Sequence, residues 1–396
     1  MEQVNELKTG QVFVIGTGDA GELGLGTSML ERMRPMPVKA LDDKSIANIV
    51  CGGMHTMALT KDGKLYSWGC NDEGALGRSG EEYEPGLVEN LEDVKITKVA
   101  CGDSITLALS DNGRLYCWGT FRCASGALGF SPTKERQTTP IIYPYLANEK
   151  FVDIAVGTDH CLALSTSGRV YVWGNGQQYQ LGRRILERRQ RNGLIPETLG
   201  LRKIRAIGCG SYHSFAIDHN NRLFVWGLNN YGQCGLDSNV DIITTPTVIS
   251  TLEGKGAIKS VAGGEHHSLV LMESGHVYSF GRADSSQLGL PKDMVKELSG
   301  QDGHASESSF KMAVGTPTLI PDLENVDSIA CGGNHGVAAT KDGLAFAWGY
   351  GSQNELGNGT GCDEETPSKI TGQKLEGHKV IRVAAGGHFT VLLATL

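Results

Sequence analysis

No stretch of this sequence is apolar for long enough to span a bilayer. The opening residues Met1–Glu6 hold no apolar core, so they do not read as a secretory leader. A basic excess is missing too: the formal net charge is −8, and the body as a whole is no nucleic-acid binder. The ten cysteines include no Cys-x-x-Cys pair, and no His-Glu-x-x-His or clustered Cys/His spacing occurs, so no metal site is expected. Cys51, Cys101, Cys209 and Cys331 each precede a glycine at one recurring position. They read as small buried residues, which favours a reducing compartment. No nucleophile and base share a recognisable motif. Gly16-Thr-Gly18-Asp-Ala-Gly21 matches GxGxxG but lacks the following helix of a dinucleotide site, so no cofactor is expected.

What is present is a repeat. All five tryptophans (Trp68, Trp118, Trp173, Trp226 and Trp348) precede glycine and follow a short apolar run. Ile15-Gly16 and Phe280-Gly281 hold the same slot in two further copies. The step is about 50 residues, the period of a propeller blade. Within a copy, Met57-Ala58-Leu59 is an apolar strand, Asp62-Gly63 a two-residue turn with positive φ at both positions, and Leu65–Trp68 the returning strand. A polar loop ending in Leu-Gly follows. Thr-Pro then opens a last strand, as at Thr139-Pro140 and Thr245-Pro246, where proline suits an outer edge. The reading is all-β: a seven-bladed β-propeller whose last blade is closed by the N- and C-terminal strands. Residues 1–10 form a short extension and residues 11–396 one domain.

The strand direction puts the Gly-Gly-x-His loops and the loops after Trp-Gly on one face. His55, His160, His213, His267 and His335 recur in one slot, which argues for loop closure; Ile105 and Phe389 break the series. Asp103 and Asp159 stand where the repeat demands no acid, and read first as solvated loop carboxylates. In Thr120–Leu128, Phe121 and Leu128 either tuck into the blade or form an apolar wedge offered to a partner. Arg183, Arg184, Arg188, Arg189 and Arg191 crowd nine residues: a solvated insertion, or a patch for an acidic surface. A polar insertion at 291–315 reads as a mobile loop.

The repeat resembles the regulator-of-chromosome-condensation repeat over about residues 11 to 396. Gly102-Asp-Ser104, Trp118-Gly-Thr-Phe-Arg122 with Gly126-Ala-Leu-Gly129, and Gly264-Glu-His-His-Ser268 with Gly281-Arg282 resemble its branch of Ran guanine-nucleotide exchange factors, in the fungal form. The resemblance implies that Ran docks on the loop face and loses GDP without covalent chemistry or a cofactor of this chain. It implies Asp103 and His267 for the exchange step, His267 being chosen over His266 because it holds the repeat slot. It implies Asp19, Asp159, Arg183, Phe121, Arg122, Gly126, Ala127 and Leu128 for contact with Ran. It places Arg184, Arg188, Arg189 and Arg191 near a loop that contacts the acidic nucleosome surface and DNA. A nuclear, chromatin-associated protein with a cytoplasmic pool follows. Family members often carry a basic N-terminal tail; Met1–Gly10 contains one lysine. The rival is a non-catalytic propeller adaptor, which need not carry these features together. A light-sensing propeller needs tryptophans stacked on one face and is excluded, since all five sit in the structural slot.

Overall fold

The computed structural model describes residues 8–236, 240–299 and 312–396. Seven four-stranded antiparallel sheets form the ring, and one further two-stranded hairpin stands apart from them. In the blade that begins at Ile46, strands Ile46–Cys51, His55–Thr60, Leu65–Gly69 and Gly86–Leu87 run from the axis outward. The innermost strands touch one another around the ring, and Lys379–Ala385 meets Ile46–Cys51 to close it. The closing blade joins Lys379–Ala385 and Phe389–Thr395 to Gln11–Thr17 and Glu31–Pro37. Two strands from each end of the chain thus share one sheet, which leaves no open seam in the ring.

The Thr-Pro strands are the outermost of their blades, where the missing N–H interrupts no ladder. The inner hairpin turns differ from expectation. Gly63, Gly113, Gly168, Asn221, Gly275 and Gly343 have positive φ, but their predecessors do not. Gly63 N donates to Thr60 O at 3.1 Å and Thr60 N to Lys64 O at 2.9 Å. The loops are therefore of the three-residue kind, a type I turn followed by one left-handed residue. The stretch 291–315 is not simply a loop: Lys292–Leu298 is a short helix whose Val295 packs into the blade, and Ala313–Leu319 is an outer strand. Residues 300–311 of that expectation lie outside the described ones.

The core lies between blades. Met57 and Leu59 of one sheet pack on Val99, Ala108 and Trp118 of the next. Each indole is fully buried and removes on the order of 200 Å² from water, a stabilisation of about 5 kcal/mol. Trp68, Trp118, Trp226 and Trp348 also donate Nε1–H to a carbonyl of the preceding blade: Glu22, Ala75, Gln180 and Gln287, at 2.7–3.1 Å.

Histidine serves a different joint from the one expected. Loop closure is done by backbone in all seven blades, Gly52 N to His55 O and its equivalents, including the copies with Ile105 and Phe389. The imidazoles staple blade to blade: Nε2 of His55, His160, His213 and His335 meets Thr106, Ser214, Ser268 and Thr390 of the next sheet at 2.7–3.0 Å. The hydroxyls of Thr106, Ser214 and Ser268 donate onward to Ala75, Gln180 and Gln233 carbonyls, so there the histidine supplies the proton. Ile105 faces no such partner, because Cys161 holds the hydroxyl position of the next blade.

Candidate functional site on the loop face

The face opposite the hairpin turns is built from two loops per blade, tied together in every copy. The residue after Trp-Gly donates its N–H to the carbonyl preceding the histidine slot: Cys70 to Met54, Thr120 to Ser104, Asn175 to Asp159, Leu228 to Tyr212, and likewise around the ring. A second set of bonds runs from blade to blade. Gly53 N reaches Gly102 O, Asp103 N reaches Thr158 O, Thr158 N reaches Ser211 O, and the series returns through Gly387 N to Gly53 O, all at 2.9–3.3 Å. This collar circles the mouth of an axial channel of ≈ 680 Å³. Cys51, Cys101, Cys209 and Cys331 line that channel; Cys101 is buried, while the other three are partly exposed although their thiols are poorly hydrated, a correction to the buried reading of all four. Burial raises the Cys51 thiol to about 12, which keeps it protonated and unreactive.

The collar supplies side chains on one arc and bare backbone on the other. Asp103, Thr158, Ser211 and Glu265 occupy four successive blades; Gly333, Gly387 and Gly53 occupy the rest. Asp103 stands solvent-accessible in the channel mouth. A Cβ on Gly53 would collide with its carboxylate, so that glycine leaves room for it. The surrounding loops strip part of its hydration and Glu265 adds repulsion, which lift the carboxyl to about 6 against the pull of Arg122.

Asp103, Asp159 and Arg122 meet around a second cavity of ≈ 510 Å³, walled also by Met54, Asn175, Gln177 and Tyr212. Its rim is the two-stranded hairpin, Phe121–Cys123 paired with Gly126–Gly129. Phe121 and Leu128 do not form an exposed apolar wedge. They are 0% and 4% exposed and pack with Phe130, Tyr143, Trp173 and Leu194. Pleating explains this: Arg122 and Ala127, opposite each other in the ladder, point outward with the tip residues Ala124 and Ser125, while their neighbours anchor the base. Gly126 has φ +115°, open only to glycine without strain. Asp159 accepts from Arg122 N–H at 2.6 Å, and burial lifts its carboxyl to about 7. Asn175 and Gln177 touch the same hairpin and were not anticipated. Each lies in a loop whose repeat pattern says nothing of the neighbouring blade.

Three expected residues sit elsewhere. His267 is fully enclosed, held near 4 by desolvation, and neither ring nitrogen has a partner. The next blade has Gly336 where the partners of His55, His160, His213 and His335 offer hydroxyls, so even the staple is missing. His267 therefore presents no surface on the loop face. His266 does: it lies half-buried between Tyr212 and Tyr231, with Arg282 stacked over Tyr231 and paired with Asp284. Arg183 is no free cation. It bonds Ile195 O at 2.9 Å, meets Glu197 at 3.2 Å, and so fastens the arginine insertion to its blade. Asp19 is exposed in the loop of the closing blade and does not line the hairpin cavity; Tyr83 Oη donates to its carbonyl.

Arg184, Arg188, Arg189 and Arg191 are all exposed, and most of them lie on the 3-10 segment Glu187–Leu194. Leu194 is buried in the hairpin's core, and its carbonyl accepts from Tyr143 Oη at 2.8 Å. The insertion thus rises beside the hairpin. Among the described residues no group of three His, Cys, Asp or Glu is placed to hold a metal, and no helix is long and apolar enough to cross a membrane. In Gly16–Gly21 the first two residues end the strand Gln11–Thr17 and the rest form a propeller loop closed by Gly21 N on Gly18 O.

The RCC1-like domain model matches residues 11–392. The chain belongs to the RCC1-like domain family. It is 37% identical to the guanine nucleotide exchange factor SRM1 of Saccharomyces cerevisiae, over 96% of this chain and 86% of that protein. It is 37% identical to the human regulator of chromosome condensation, over 97% and 90%. Prp20p of Saccharomyces cerevisiae, crystallised in a study of its binding to Gsp1p and histones, superposes with a TM-score of 0.92 at 37% identity, over 98% of this chain and 92% of that one.

Proposed function

We propose that this chain is a guanine-nucleotide exchange factor for a GTPase of the Ran type, the counterpart of Gsp1p, and that it works on chromatin in the nucleus. The observation that carries this reading is the loop face itself. One blade departs from the repeat to raise a hairpin beside Asp103 and Asp159, in a chain similar over nearly all its length to an exchange factor. Exchange forms no covalent bond. It needs contacts stronger with the nucleotide-free partner than with the nucleotide-bound one, and about 1.4 kcal/mol of that difference accounts for each tenfold in rate.

The roles divide by exposure. Arg122, Gly126, Ala127 and the tip between them press on the partner, with Phe121 and Leu128 as buried anchors. Asp103 and His266 act in the expulsion of nucleotide, and Asp19 and Asp159 in docking. Arg184, Arg188, Arg189 and Arg191 face acidic histone surface or DNA, and Arg183 holds their segment in place.

Release of fluorescent GDP from Ran tests the reading. Wild-type chain accelerates release. Asp103→Asn and His266→Ala each lower kcat/KM by about tenfold or more. His267→Ile, which copies the Ile105 blade, leaves it unchanged. A folded wild-type sample that does not speed release sinks the exchange reading and leaves an adaptor. Loss of activity in His267→Ile with His266→Ala intact reverses the assignment of the two histidines.

A further inference from the structure

The hairpin is gripped from outside its own blade. Its base is anchored by Phe121 and Leu128, but no atom approaches within 4 Å of the Cβ position of Gly126. An isolated two-stranded hairpin is marginal in water, so something else must hold the tip. Three hydrogen bonds from the next blade reach it, two at the Arg122 backbone just below the tip and one at the tip residue Ala124. Asp159 accepts from Arg122 N–H at 2.6 Å, Gln177 Oε1 accepts from Ala124 N–H at 3.2 Å, and Asn175 Nδ2 donates to Arg122 O at 3.1 Å. The two amides orient each other: Gln177 N donates to Asn175 Oδ1 at 2.9 Å and Asn175 Nδ2 to Gln177 Oε1 at 3.3 Å. Asn175 N bonds Asp159 O at 2.7 Å, which joins both loops into one clamp.

We infer that Asn175 and Gln177 are positioning residues that lock the hairpin tip in the pose it presents to the docked GTPase. The inference rests on the exchange reading above and assigns work within it. A loose tip still docks, because the rest of the loop face is unchanged. It pushes less on the nucleotide site, because part of the binding energy goes into ordering the hairpin. The defect therefore falls on kcat rather than on KM.

Gln177→Leu removes the acceptor for Ala124, and Gln177→Glu keeps it. With the full chain and Ran loaded with fluorescent GDP, Gln177→Leu lowers kcat about fivefold to tenfold, of the order expected for one or two hydrogen bonds, while KM stays within about twofold. Gln177→Glu recovers most of kcat. Amide hydrogen exchange at Ala124 quickens in the Leu variant and not in the Glu variant. Wild-type kcat in Gln177→Leu, a loss confined to KM, or no recovery with Glu overturns the assignment. Should the wild-type chain fail to exchange nucleotide, the functional reading falls, and unchanged Ala124 protection in the Leu variant overturns the clamp independently.

Discussion

Trp173 Nε1 is buried without a partner, whereas its four counterparts donate to the preceding blade. The acceptor would come from the polar loop before Leu128-Gly129, and there the chain folds as the hairpin instead. The indole stacks on Tyr143 at 5.5 Å in compensation. A buried donor without an acceptor costs about 1–3 kcal/mol, so one residue records what the hairpin takes from the repeat. Trp226→Phe removes a made bond and leaves Gln180 O with one donor fewer; Trp173→Phe removes an orphan. Urea unfolding is expected to show Trp173→Phe less destabilising than Trp226→Phe by about 1 kcal/mol. Equal losses would mean that Trp173 has a solvent partner. The departure is invisible in sequence, where all five tryptophans share one pattern.

Two departures from the ring stand side by side, the hairpin and the arginine insertion, and both are visible as irregularities of the repeat. The hairpin was marked by Phe121 and Leu128, although their direction was not: alternation places Arg122 and Ala127 outward only once the register is known. The arginine insertion was marked by charge, but nothing in the run separates Arg183, turned inward to Glu197, from its exposed neighbours. The distinction predicts different phenotypes. Arg188→Ala, Arg189→Ala and Arg191→Ala combined should weaken nucleosome binding about tenfold and flatten its salt dependence, with exchange on free Ran unaffected. Arg183→Ala should loosen the whole segment. Unchanged nucleosome affinity in the triple variant would remove chromatin contact from this insertion.

For the whole molecule, the five buried histidines, four staples and the unpartnered His267, set the response to acid. His55 and His267 are depressed to about 4, and His160, His213 and His335 to about 3, all by desolvation. The unfolded chain binds these protons near the ordinary value of about 6.5. Their stabilisation is complete above that pH and drains away as pH falls toward the folded values. Asp103, Asp159 and Glu355, raised to about 6, 7 and 7, work in the opposite sense, favouring the fold below about pH 4 and losing that contribution as pH rises to about 7. Five groups outweigh three, so the melting temperature should fall on acidification from pH 7 to 5. Calorimetry across that range checks the sign; a rising melting temperature would mean that the carboxylates dominate.

Blade number, strand order and the closing blade were legible in the chain, because a repeat of Trp-Gly slots with matching half-repeats at the ends admits one ring. The shared loop face followed from strand direction alone. The inventory of the face did not, because it depends on side chains reaching across to the neighbouring blade. His266 is the last residue of its loop and His267 the first of the following strand, so one stays on the face and the other enters the wall between blades. Asn175 and Gln177 gain their partners from a loop some fifty residues earlier in sequence. Local pattern sets which residues make a blade; only packing between blades sets which of them a partner can meet.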